Sequence, residues 1–254
     1  MPELSAERGP TTHLVLIPSY NNGAKLVETV TDALHHWRPV WVVIDGSTDG
    51  SGEALAGLQH KEPGLRVIHR PCNGGKGAAV LDGLRAAAAE DFTHVMVMDA
   101  DGQHSAAEIV EFMGISRQNP EAMILGLPLF DATAPRIRVI GRRLSNVLAR
   151  LETRRHIGDS LFGFRVYPLA GLLAVMEASR HMRQYDFDAE AVVRLCWRGV
   201  PLINRPAPVR YFAAAEGGVS HFRYGRDNLL LAAMHLRLIA DALRRKLTRR
   251  NLPH

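Results

Sequence analysis

Short apolar runs and evenly spaced apolar positions take turns along the first half of this chain. The runs His13 to Ile17, Val40 to Ile44, Leu65 to His69, Val95 to Asp99 and Ala122 to Leu127 have the length of strands. An unbroken apolar run between polar flanks suits a strand covered on both faces. Pro18, with no N–H to give a ladder, is expected to end the first of them. Between the runs, Leu26, Val30 and Leu34 share one helical face and predict a helix from Ala24 to about Trp37. Further helices are expected over Gly52 to His60, from Gly77 to about Ala89, and over Ala106 to Gln118. This alternation predicts an α/β fold of parallel βαβ units joined by right-handed crossovers.

The second half is less regular. Arg136 to Glu152 reads as a basic helix, Gly163 to Tyr167 as a short strand, and Leu169 to Ser179 and Phe187 to Arg198 as helices. Pro201 to Tyr211 reads as an extended, Pro-punctuated strand. A last helix spans roughly Arg226 to Lys246, with Leu229, Leu230, Met234, Leu236, Leu238 and Leu243 along it, so one side must be buried or lie on lipid. The chain divides on this reading into residues 1–225 and a C-terminal amphipathic, basic helix and tail, 226–254.

Charge changes the picture at that end. Leu243 to Arg250 carries five positive charges in eight residues, which suggests an anionic surface, lipid or nucleic acid, or else a solvated helix end whose cations complement the macrodipole. A membrane surface is the reading adopted, with no nucleic-acid partner. The most apolar stretch, Leu229 to Ala240, is interrupted by His235 and Arg237, so no membrane span is expected. Met1 to Pro10 lacks the apolar core of a signal peptide, and Cys72 and Cys196 lack metal-type spacing. A reduced, cytoplasmic protein, peripheral on the membrane face, is expected.

The candidate chemistry gathers at strand ends. Asp99 and Asp101 sit at the tip of the cleanest strand, ahead of Gly102 and Gln103, and ligands in open α/β sheets bind outside the carboxyl ends of strands. An Asp-x-Asp pair is commonly only a solvated turn; at a strand tip with an amide beside it, the set suits Mg²⁺ or Mn²⁺ carrying phosphates. Asn73-Gly74-Gly75-Lys76-Gly77 lacks the hydroxyl that follows the lysine in a Walker A loop, which excludes that class of ATPase; Lys76 at a Gly-rich helix start still suits an anion. Asp45, at the second strand's end, is either a turn aspartate or an acceptor for a base or ribose. Asp188 and Glu190 open a helix as cap residues, or serve as a general base. Arg136, Arg138, Arg142, Arg143 and Arg165 form a positive zone that is either solvated or suited to phosphate.

Together, Ile17-Pro18-Ser19-Tyr20-Asn21-Asn22, Ile44-Asp45-Gly46-Ser47-Thr48-Asp49-Gly50, Asn73-Gly74-Gly75-Lys76-Gly77, Asp99-Ala100-Asp101-Gly102-Gln103-His104 and Gly163-Phe164-Arg165 resemble the family 2 glycosyltransferases, in their dolichyl-phosphate mannose synthase-like branch. The resemblance covers roughly residues 13 to 225. It implies a GT-A fold, a mostly parallel twisted sheet flanked by helices. It also implies inverting sugar transfer from a UDP- or GDP-sugar, with a polyprenyl or other lipid phosphate as acceptor. Carried onto this chain, it implies a nucleotide-sugar site at Pro18, Tyr20, Asn21, Asp45, Lys76, Asp99, Ala100 and Asp101. It implies metal ligation by Asp99, Asp101 and Gln103, and contact of Arg142, Arg143 and Arg165 with the acceptor phosphate. Asp188, Glu190 and Arg165 are the catalytic candidates, the carboxylates being needed as bases only for a hydroxyl acceptor. The chain departs from the pattern at Ile44, where relatives often have aspartate, and at Phe162, which precedes Gly163 in place of a serine. The rival readings are a sugar-phosphate nucleotidyltransferase, which would need a Gly- and Lys-rich loop after the first strand, and a non-catalytic nucleotide-sugar-binding module.

Overall fold

The computed structural model describes residues 12–130, 136–210 and 224–250. Seven strands, β1 (His13–Ser19), β2 (Val40–Asp45), β3 (Leu65–Arg70), β4 (His94–Met98), β5 (Met123–Leu129), β6 (Phe164–Pro168) and β7 (Leu202–Pro208), form one sheet in the order β3-β2-β1-β4-β6-β5-β7. Every residue of β1, β2 and β4 is buried, as their apolar runs predict for strands with both faces covered. Successive side chains go to opposite faces, so Leu14 and Leu16 join one core cluster and Val15 and Ile17 the other.

Helices cover both faces. One is packed by α1 (Gly23–His36), α2 (Ser51–Gln59) and α4 (Glu108–Gln118). The other is packed by α3 (Lys76–Ala88), α5 (Arg136–Thr153), α6 (Leu169–Glu177), α7 (Asp186–Trp197) and α8 (Tyr224–Arg250). Helix α1 buries Leu26, Val30 and Leu34 together, as their spacing predicts. Along α8 the apolar positions divide between two faces. Leu231, Met234 and Leu238 join the core, whereas Leu229, Leu236, Leu243 and Leu247 are exposed.

One expectation is corrected. Strand β1 does not stop at Pro18 but runs to Ser19, with Pro18 opposite Val43 of β2. Pairing with β4 ends at Leu16, so the missing N–H falls where the inner ladder has already finished. The sheet is mostly parallel, as expected, and its exception is β6, which enters between β4 and β5 antiparallel to both. That insertion sets Phe164 opposite Met98 and brings Gly163 to the β4 tip, where its carbonyl accepts from the Asp99 N–H at 3.2 Å.

At the opposite, N-terminal edge of the sheet, His13 and His94 stack with ring centroids 4.2 Å apart. His13 is hydrogen-bonded to Thr12 Oγ1 and Ser116 Oγ, and His94 to Thr93 Oγ1 and the Pro120 carbonyl. Burial, then the neighbouring His94 and Arg117 charges, pull the His13 pKa down to about 4. Neutral His13 therefore belongs to the folded state, while the unfolded chain takes up this proton near pH 6.5. Stability from this group is full above pH 6.5 and is lost as pH falls from 6.5 towards 4. Urea melts at pH 7 and pH 5 should differ by about 1–2 kcal/mol from this site. His13→Gln should flatten the acid limb, and an unchanged limb in that variant refutes the assignment.

Candidate active site

Strands β2 and β3 lie on one side of β1 and β4 on the other, so the chain reverses direction across the sheet between β1 and β4. Crevices open outside the strand tips at such switch points. A cavity of about 720 Å³ lies there. Pro18, Ser19, Tyr20 and Asn22 beyond or at the end of β1 line it, with Asp45 of β2 and Lys76 at the start of α3. Asp99, Ala100, Asp101, Gln103 and His104 after β4 complete that wall.

The wall is tightly fixed. Asp45 accepts from Arg70 Nη1, from the Gly74 N–H at 3.0 Å and from the Gly75 N–H at 2.7 Å, so it anchors the glycine loop as well as facing the cavity. Asn21 does not line the cavity; its Oδ1 accepts the Thr48 N–H at 2.8 Å and its own N–H donates to Ser47 Oγ, tying the β1 and β2 tips together. Gly163 lies so close to Asp99 that a Cβ there would overlap the carboxylate, which is the packing reason for glycine in that motif.

At the centre, Lys76 Nζ stands 2.7 Å from Asp99 Oδ1 and 2.6 Å from Asp188 Oδ2 of α7. Burial alone would raise the Asp99 carboxyl, yet the Lys76 ammonium and then His104 hold it well below the usual carboxylate range. Burial would likewise lower Lys76, but the Asp188 and Asp99 charges hold it above the ordinary lysine value. Asp101 goes the other way: burial, then the Asp99 charge, push it up. Burial also raises Asp188, against the pull of Lys76 and Arg165. Asp101 is thus a carboxylate short of a cation, next to one that already has its ammonium. Among the described residues no cluster of three or more His, Cys, Asp or Glu forms a closed metal cage. The hard oxygens of Asp99, Asp101 and Gln103 nevertheless fit a divalent ion whose remaining positions are filled by ligand oxygens or water, as Mg²⁺ prefers.

The far side of the cavity is different in character. Ile140, Leu144 and Leu148 of α5 and Leu231 of α8 make an apolar wall, with Arg142 and Arg226 on it. Arg142 is ion-paired to Asp159 at 2.9 Å and lies 5.9 Å over the Phe162 ring. Helix α8 is held against α5 by His235, whose Nε2 is 2.9 Å from Ser145 Oγ and whose Nδ1 is 2.8 Å from Glu152 Oε1. Ser145 lies in mid-helix and shares its hydroxyl with Ser160, so this relay is a seam between helices.

Besides Asn21, three more residues singled out in the sequence stand off the cavity. Arg165 is fully buried in β6, donating to the carbonyls of Asp188 and Asp159 and to the Tyr167 hydroxyl. It braces the backbone of Asp188 rather than facing a ligand. Glu190 is fully buried and accepts from Arg194 at 2.7 Å and Arg237 at 3.1 Å, which fastens α7 to α8. Arg143 is exposed and does not line the cavity. The sequence reading missed Arg70, His104, Arg226 and the Ser145–His235–Glu152 seam. Arg70 had a signal, since it ends the strand beside Asp45; His235 stood out only as a break in an apolar run.

A family model described as "Glycosyl transferase family 2" matches residues 14–171. The polyprenol monophosphomannose synthase of Mycolicibacterium smegmatis is 27% identical over 214 residues, covering 82% of this chain and 79% of the relative. The undecaprenyl-phosphate mannosyltransferase of Micrococcus luteus is 24% identical, covering 76% of this chain and 81% of the relative. Among solved structures, the mannosyltransferase PcManGT from Pyrobaculum calidifontis, in complex with GDP-Man and Mn²⁺, superposes with a TM-score of 0.61 at 18% identity, covering 92% of this chain and 64% of that one. The fold is that of the GT-A glycosyltransferases. The chain belongs to glycosyl transferase family 2, within which its similarity runs to the dolichyl-phosphate mannose synthase-like branch.

Proposed function

We propose that this glycosyltransferase moves a hexosyl group, with inversion, from a nucleoside-diphosphate sugar to a polyprenyl phosphate, with Mg²⁺ or Mn²⁺ held by Asp99, Asp101 and Gln103. The observation that carries the reading is one cavity with two unlike walls: carboxylates and Lys76 on the sheet side, and apolar side chains with Arg142 and Arg226 on the α5–α8 side. The first wall suits a diphosphate and its cation; the second suits a phosphate on a hydrocarbon chain. The names of the relatives support that acceptor class, and the GDP-Man and Mn²⁺ bound to PcManGT support the donor class and the metal. A volume of about 720 Å³ is within the range of small-ligand sites, 300–1,000 Å³.

An acceptor phosphate oxygen is already anionic and attacks the sugar's anomeric carbon as the bond to the departing diphosphate breaks, the electron pair leaving with the diphosphate. A bound divalent ion supplies Lewis-acid stabilisation of that departing charge. The chain's own part is alignment. Arg142 meets the acceptor phosphate, the β1 tip and Asp45 hold the nucleoside end, and Lys76 adds positive charge beside the diphosphate. Asp188 keeps Lys76 in place and takes no proton from a phosphate; a hydroxyl acceptor would require it as base. The test is transfer of labelled sugar from GDP-mannose, UDP-glucose and related donors into organic-extractable undecaprenyl phosphate, with Mn²⁺ or with EDTA. Extractable label from one donor, abolished by EDTA, is the expected result. Label from no donor refutes the reading and favours the binding module.

Lipid acceptors have to be met at a surface. No helix of the described residues is long and apolar enough to cross a membrane. Ile140, Leu144, Val147 and Leu151 form an exposed stripe on α5, and Leu229, Leu236, Leu243 and Leu247 another on α8. Ile140 and Leu144 also line the cavity, so the first stripe leads into it. With the arginines of α8, these faces suit the interface plane of an anionic membrane. The full chain should float with phosphatidylglycerol vesicles, less so at high salt, and Leu144→Asp with Leu236→Asp should cut the bound fraction at least fivefold. Equal flotation of the double variant refutes this placement.

A further inference from the structure

Lys76 sits where a cation is needed and brings only half the charge of the ion proposed for the site. Its side chain is 10% exposed, and its Nζ touches one proposed metal ligand, Asp99, and one carboxylate across the cavity, Asp188, at 2.7 and 2.6 Å. The surrounding backbone is closely packed: a Cβ on Gly77 would strike the Met182 carbonyl, and one on Gly75 would strike Arg183 and Gln184. The flexible four-carbon stem can re-aim the ammonium without a backbone shift. Asp101, next to the pair, has no ammonium of its own among the described ion pairs.

We infer that Lys76 is the internal counter-ion of the Asp99 site, occupying that carboxylate while metal is away and yielding it to a divalent cation only when a diphosphate arrives to take the ammonium. The inference rests on the metal and donor roles proposed above. An ammonium and a divalent ion cannot share Asp99 Oδ1 without strong repulsion across a few ångströms of protein interior. Metal alone must therefore displace Lys76 from Asp99, leaving Asp188 as its one remaining partner among the described ion pairs. A diphosphate supplies the missing anion, so the two ligands bind cooperatively through this side chain, each raising the other's affinity by the same factor. Without metal, the same ammonium lets the fold carry Asp99 and Asp188 in a confined site.

Equilibrium dialysis of Mn²⁺ against the full chain, with and without inorganic pyrophosphate, tests this without using activity. In the wild type, pyrophosphate should tighten Mn²⁺ binding at least tenfold. In Lys76→Met, Mn²⁺ alone should bind at least tenfold tighter than to wild type, and most of the pyrophosphate effect should vanish. Lys76→Gln, which keeps a neutral donor near Asp188, guards against a folding failure. Both variants should melt below wild type in EDTA and recover with Mn²⁺. If neither folds without metal, recovery on refolding in Mn²⁺ supports the inference and failure to recover overturns it. Mn²⁺ binding to the variants that equals or falls below wild type overturns it while leaving the metal site standing. Absence of Mn²⁺ binding to the wild type, with or without pyrophosphate, removes the metal reading itself and this inference with it.

Discussion

With Asp101 replaced by asparagine, sugar transfer should fall by on the order of 10³-fold in kcat/KM. The substitution keeps the shape of the side chain and removes one of the two carboxylates at the β4 tip. Lewis-acid stabilisation of a leaving diphosphate is worth several kcal/mol, and each 1.36 kcal/mol is tenfold in rate. The same change should leave the metal-free fold as stable as before or more so. Burial and the Asp99 charge raise the Asp101 carboxyl above its ordinary value. A group whose folded pKa lies above its unfolded value costs the fold stability as pH rises above the unfolded value, and asparagine, which does not ionise, carries no such cost. A loss of activity with an unchanged or higher melting temperature in EDTA is thus the signature of a carboxylate kept for a cation. A parallel loss of both makes Asp101 a structural residue. Transfer within tenfold of wild type removes it from the metal site.

The contrast between strand tips and the rest of the site explains what the sequence made legible. The β4 tip was readable because two local signals coincide there, an apolar run fixing the strand and an acidic pair fixing its end. The α1 face followed from the spacing of Leu26, Val30 and Leu34 alone. Strand direction is not local: the run from Gly163 to Tyr167 says strand, but nothing in five residues says that it enters antiparallel between β4 and β5. Side-chain partners supplied by tertiary packing are not local either. An arginine in a short strand suits phosphate on sequence alone, but β6 is covered and Arg165 is fully buried, so it finds its acceptors inside. In sequence Glu190 suits a cap or a base; in the structure it accepts from Arg194 one turn along α7 and from Arg237 of α8, a partner supplied only by the docking of a helix some fifty residues downstream. Asp188, two residues earlier on the same helix, faces the cavity through Lys76. Which carboxylate of an Asp-x-Glu pair faces a ligand depends on that tertiary docking rather than on helix phase alone.

Arg165 and Arg142 were alike as candidates and should part company on mutation. Arg165→Leu removes a guanidinium that donates to two buried carbonyls and a buried hydroxyl, leaving those acceptors without partners. Breaking a buried charged network costs about 3–5 kcal/mol. At roughly 2–4 °C per kcal/mol for a chain of this size, the melting temperature should fall by about 10 °C. Arg142→Ala removes one partner of Asp159, which is buried but keeps the Leu161 N–H and the Asn146 amide as donors, so the melt should fall by less than in Arg165→Leu. Its main effect should appear in the acceptor. A charge-assisted hydrogen bond of about 1.5–3 kcal/mol to a phosphate corresponds to a ten- to hundredfold rise in acceptor KM, with the donor KM unchanged. Arg165→Lys, which keeps the charge, should restore neither the fork of donors nor the Asp188 backbone position, so its kcat should fall while its acceptor KM stays near wild type. If Arg165→Lys instead raises the acceptor KM without lowering the melt, the guanidinium reaches the acceptor after all. If Arg142→Ala leaves acceptor KM untouched, the apolar wall of α5 and α8 receives its phosphate elsewhere, and Arg226 becomes the next substitution to make.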